Sequence, residues 1–134
     1  MTRSSFKGTG LALLILVTLS SCAPRLVPSD FVLLGTREVN FGIDRDTISL
    51  PPGRPPVRRL IVVAKLNPIE VNNIKVEFAN GGDFNSPSGA RLFPGRDRIV
   101  VDLPGDARRV RQVVFRYRKL NNSARRAVVE LWGR

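Results

Sequence analysis

Beyond residue 30 the chain alternates apolar and polar residues with a period of two, and no window sustains an apolar 3.6 period. The alternation predicts strands over Phe31–Leu34, Glu38–Phe41, Thr47–Leu50, Arg58–Leu66, Glu70–Phe78, Ala90–Phe93, Ile99–Leu103, Val110–Arg118 and Ala127–Trp132. Turn-forming clusters separate them: PPGRPP at 51–56, NGGDF at 80–84, FPGRD at 93–97, LPGD at 103–106 and LNNS at 120–123. Pro-Gly suits a turn because Pro presets the backbone angle of the second residue while Gly accepts positive φ at the third. Short strands at this spacing predict an all-β fold, a single antiparallel β-sandwich of about eight or nine strands over residues 31–134.

The same alternation assigns faces. Val113, Phe115 and Tyr117 share one side of their strand and Gln112, Val114, Arg116 and Arg118 the other. In the last strand Ala127, Val129 and Leu131 point inward and Val128, Glu130 and Trp132 outward. If these two strands form a hairpin, core must face core, which pairs Arg118 with Arg126, Arg116 with Val128 and Val114 with Glu130. Arg116, Arg118 and Arg126 then share an exposed face with Trp132.

The opening segment follows a different rule. Arg3 and Lys7 precede an apolar stretch from Leu11 to Leu19. Nine helical residues cover ~14 Å, too little for a hydrocarbon core of ~30 Å. A basic start, a short apolar middle and small residues after it make a secretory signal. Leu19-Ser20-Ser21-Cys22 resembles the lipobox of bacterial lipoproteins. That resemblance implies a signal helix over 1–21 removed by cleavage, a diacylglycerol on the Cys22 thiol, and a tether over 22–30. Ala23 rather than Asp after the Cys implies, in a Gram-negative cell, the outer membrane facing the periplasm. Two or three acyl chains make such attachment essentially permanent, since each buried CH₂ adds ~0.8 kcal/mol.

Composition narrows the chemistry. No His is present, which excludes Ser-His-Asp triads, Cys-His dyads and His metal sites. One Cys excludes internal disulfides and Cys-ligated clusters held by this chain alone. No cofactor is expected, and the chain reads as a non-catalytic module rather than an enzyme. Losing Arg3 and Lys7 with the signal turns 22 basic side chains into 20 against 11 acidic, a net of +9. Nine of those basic residues and one acid lie between Arg108 and Arg134. In the cytosol this bias would suggest nucleic acid; export argues against a nucleic-acid partner. Anionic lipid, lipopolysaccharide, an acidic cell-wall polymer or an envelope protein partner fit better.

Two residue sets carry candidate chemistry. Arg116, Arg118, Arg126 and Trp132 form a candidate anion-binding face, the arginines through their planar forks and the indole by stacking. Asp44 and Asp46, two residues apart and on one side of an extended chain, form an alternative site for Ca²⁺ or for the acid and base of a small hydrolase. The structural reading of the same pair, accepting backbone N–H groups or meeting surplus Arg, stands beside it. Asn80-Gly81-Gly82-Asp83 lacks the Lys and following helix of a phosphate loop and reads as a turn.

The stretches LLGTREVNFGIDRDTISL, VEFANG, RIVVDLPG, RRVRQVVFRYR and AVVELWGR together resemble a family of small secreted bacterial β-sandwich domains of unknown function, over about residues 31–134. The resemblance implies a compact antiparallel sandwich and brings no activity with it.

Overall fold

A computed structural model describes residues 25–39, 43–120 and 126–134, the side chains of 43, 44 and 119 excepted. The expected signal segment and Cys22 lie outside the described residues. Eight strands form among those described: β1 (Val32–Val39), β2 (Ile43–Ser49), β3 (Arg59–Lys65), β4 (Ile69–Phe78), β5 (Asp83–Leu92), β6 (Arg98–Asp102), β7 (Val110–Lys119) and β8 (Ala127–Gly133). They build two four-stranded antiparallel sheets, sheet A in the order β1-β8-β3-β6 and sheet B in the order β2-β7-β4-β5. The fold is an all-β sandwich, as the alternation predicts.

The strand map departs from expectation in three places. The first two predicted strands are one, because β1 runs on through Gly35-Thr36 with a β-bulge between Leu33 and Gly35. Its continuity depends on a missing side chain. A Cβ on Gly35 would stand 2.5 Å from Ile48 Cγ2, so glycine lets β1 close against β2 where the sheets meet. Next, β2 begins at Ile43 rather than Thr47, since alternation persists through Asp44-Arg45-Asp46 without apolar residues to announce it. Finally, β5 occupies what reads as a turn followed by a short strand. It is an edge strand, where Pro87 costs no interior ladder bond. A bulge against Val71/Asn73 absorbs Ser88 and Gly89, and Ala90 N–H donates to Ser88 Oγ at 3.1 Å.

The inward faces match the parity read from the chain. Val113, Phe115, Tyr117, Ala127, Val129 and Leu131 are fully buried and meet Leu60, Val62, Ile69, Val71, Ile74 and Val76 between the sheets. Each Val, Leu, Ile or Phe among them contributes ~1.5–3 kcal/mol on burial. Gly95 and Gly105 hold φ of 75° and 79°, the positive values expected of their Pro-Gly turns.

The proposed final hairpin does not form. β7 lies in sheet B between β2 and β4, whereas β8 lies in sheet A between β1 and β3. Period two specifies which side of a strand faces the core and leaves its neighbour open. Here the chain crosses from one sheet to the other between β7 and β8, so each strand gains two partners inside a sheet instead of one across a turn.

Residues 25–31 are not a free tether. Leu26, Val27 and Phe31 pack with Ile61, Val63 and Trp132 as a second apolar cluster. Ile61 and Val63 point away from the main core, yet both are only 1% exposed. The segment is pinned at both ends: Arg98 Nη1 donates to the Leu26 carbonyl at 2.8 Å, and Arg134 Nη1 to Asp30 Oδ2 at 2.6 Å.

Candidate functional site

Separation of β7 from β8 divides the expected arginine–tryptophan face. Arg116 and Arg118 stand on the outer face of sheet B; Trp132 stands on the outer face of sheet A, half-buried beneath the N-terminal segment. Its indole Nε1 is buried without a hydrogen-bond partner, so Trp132 packs rather than offering its ring to a ligand. Arg126, just before β8, makes a two-pronged contact with Glu38, both bonds 2.8 Å. Glu38 thereby raises the Arg126 pKa above its ordinary value. The four residues therefore do not form one surface. The expectation failed because it derived a shared face from a hairpin that the fold does not contain.

Sheet B presents a different constellation. Cross-strand register aligns Arg45 on β2 with Arg116 on β7 and Asn73 on β4. The adjacent row aligns Thr47, Val114, Lys75 and Asn85. Arg45, Asn73, Lys75, Asn85, Val114 and Arg116 line a shallow depression of about 400 Å³. Val114, outward by parity yet buried, lies among the longer polar side chains that line it.

Acidic side chains frame this depression without entering its centre. On one side Glu70 meets Arg118 Nη2 at 3.2 Å and Arg91 Nε at 3.6 Å. On the other Glu77 accepts from Gln112 and lies 3.4 Å from Arg111 Nη2 and 3.5 Å from Lys75 Nζ. The Gln112 bond, followed by the charges of Lys75 and Arg111, holds the Glu77 carboxyl below its usual pKa. Lys75 also reaches Asp83 at 3.4 Å. Between these groups Arg45 and Arg116 face each other, and neither meets a carboxylate among the described residues. Like charges directly opposite on an antiparallel pair are destabilising by a few tenths of a kcal/mol to ~1 kcal/mol. An anion placed between them would offset that repulsion; beside it lie Asn73 and Asn85, linked to each other by Asn73 Nδ2 donating to Asn85 Oδ1 at 3.5 Å.

Sequence reading found Arg116 and missed Arg45, Asn73, Lys75 and Asn85. Arg45 was legible in part: flanked by Asp44 and Asp46, it must point to the side opposite both. Its placement beside Arg116 needed the β2–β7 register, which no local pattern supplies.

The acid pair is positioned for structure. Asp46 accepts a hydrogen bond from the hydroxyl of Tyr117, a fully buried side chain on the neighbouring strand. A buried phenol needs such an acceptor, and Asp46 supplies it from the sheet edge. The Asp44 side chain lies outside the described residues. No cluster of three or more metal-ligating side chains occurs among the described residues.

Comparison with known proteins places the chain in the DUF2541 family, a domain of unknown function, whose model matches residues 10–133. Neither a curated protein nor a solved structure matches it.

Proposed function

We propose, from membership of the DUF2541 family as premise, that this chain is a lipid-anchored envelope protein whose sandwich is a non-catalytic binding module for an anionic partner. The anchor is Cys22, at the end of the lipobox-like Leu19-Ser20-Ser21-Cys22. In a Gram-negative cell the expected site is the periplasmic side of the outer membrane. The binding face is the outer surface of sheet B, with Arg45 and Arg116 as the central pair and Asn73, Lys75 and Asn85 around them. The observation that carries this reading is the opposition of Arg45 and Arg116 without an intervening carboxylate among the described residues. Arg forks grip phosphate or carboxylate in two-pronged fashion, and a shallow, open depression suits an extended polymer better than a small enclosed substrate. The alternative, a hydrolase or calcium site at Asp44 and Asp46, draws no comparable support, because Asp46 already serves Tyr117.

The test has two arms. Mass spectrometry of the native protein is expected to show an acylated Cys22 as its first residue; an unmodified thiol there overturns the anchor. Capture on immobilised polyphosphate is expected to fall at least tenfold in an Arg45→Gln/Arg116→Gln variant. Arg118→Gln, which removes a cation already paired with Glu70, is expected to change it little. Equal losses from both variants would mean that net charge, not this site, binds the polymer.

A further inference from the structure

The outer face of sheet A offers a surface of opposite character. One cross-strand row traverses all four of its strands: Leu33 on β1, Trp132 on β8, Ile61 on β3 and Val100 on β6. Every member is apolar. Segment 26–31 lies over the middle of this face and buries Ile61 and Val63. The two edge residues remain open, Leu33 at 38% and Val100 at 41% exposure. Leu26, at the upstream end of the segment, is held by Arg98, whose strand neighbour on the same outward face is Val100. The chain therefore leaves the domain on this side. Only three residue steps separate Arg25 from Cys22, a reach of at most ~11 Å.

We infer that the outer face of sheet A, together with segment 25–31, rests on the leaflet that holds the Cys22 anchor, and that the Arg45–Arg116 face consequently points away from that leaflet. The inference rests on the anchored reading above. Its occupant is the anchoring bilayer itself. The attachment point is tied close to this face, and the uncovered Leu33 and Val100 suit the acyl–headgroup boundary. Arg25 and Arg98 lie at the same side, where their charges can meet lipid phosphates while their stems cover apolar surface.

The geometry also narrows the partner of the basic face. Packed sheets stand ~10 Å apart, and outward side chains add to that separation. The Arg45 and Arg116 guanidinium groups then lie more than one Debye length, ~8 Å at physiological salt, from the anchoring headgroups. Their partner is thus an acidic polymer presented from the other side, such as a polyanionic cell-wall chain, rather than the lipid that carries the anchor.

Depth-dependent fluorescence quenching tests this on the lipidated full chain. Native Cys22 is blocked by its lipid, so a thiol-reactive fluorophore labels only an added Cys. Val100→Cys and Asn85→Cys place it on the two opposite outer faces, each on an edge strand. Both variants are checked for retained β circular dichroism and reconstituted into phosphatidylcholine–phosphatidylglycerol vesicles with brominated acyl chains. Quenching is expected to be several-fold greater at Val100→Cys than at Asn85→Cys. Equal quenching, or the reverse order, overturns the orientation. Failure of the folded proteins to float with the vesicles overturns the anchored reading and the inference with it.

Discussion

At the scale of single residues, two contacts show how little tolerance the seam between the sheets has. Gly35 abuts Ile48, a β-branched side chain with few rotamers to yield. Gly35→Ala is therefore expected to cost ~1–3 kcal/mol as an overpacking change, read from the midpoint of urea unfolding; an unchanged midpoint would mean that β1 shifts freely. The Tyr117 hydroxyl bonds Asp46, which lies at the rim of the core. Tyr117→Phe is expected to cost ~1 kcal/mol, the usual net worth of such a bond, in the same assay.

Elements carry the next level of behaviour. Segment 25–31 has no ladder of its own and depends on two tethers and three apolar side chains. The hydrogen bond from Arg134 holds the Asp30 carboxyl below its usual pKa. For a carboxylate so depressed, the linked stabilisation is present above its unfolded-state pKa and is lost as pH falls through the folded one. Glu77, depressed chiefly by Gln112, acts in the same direction on the β4–β7 pair. Acidification through the carboxylate range should thus loosen the segment before the sandwich. Phe31 N–H, which donates to the Pro28 carbonyl at 3.1 Å, reports this by amide exchange. Protection of the Phe31 amide, relative to its intrinsic exchange rate at each pH, is expected to fall in Asp30→Asn at neutral pH, and acid should then lower it less than in the unaltered chain. Identical acid responses would show that Asp30 does not govern the segment.

For the whole molecule, the distribution of charge matters more than its net value. Most arginines of the strongly basic C-terminal quarter are committed. Arg108 stacks on Phe78 with its guanidinium 3.6 Å from the ring centre, while Arg111, Arg118, Arg126 and Arg134 each meet a carboxylate. Among the described residues Arg116 instead faces Arg45 in a central pair on one sheet, while the opposite sheet carries an apolar row. The proposed polymer capture and the proposed lipid anchor obey different physics. Polymer capture through Arg45 and Arg116 should weaken steeply as salt rises, because exposed charges are screened. Vesicle attachment through buried acyl chains should not. Parallel salt titrations of the two are expected to diverge; a shared salt dependence would mean that the anchor is electrostatic.

Fold class and inward faces were legible without coordinates because both are local. A residue's side of a strand depends only on parity, so Tyr117 and Leu131 point to the core whatever lies beside them. Lipobox-like spacing and the lack of His are likewise properties of the chain alone. Neighbour choice is not local: whether β7 meets β8 or β2 depends on which long connections close and on how two sheets share one core. That choice separated Arg116 from Trp132, brought Arg45 opposite Arg116, and laid Leu26 and Phe31 over β3. Parity told each residue which way to face, and only the packing of distant strands decided what it would find there.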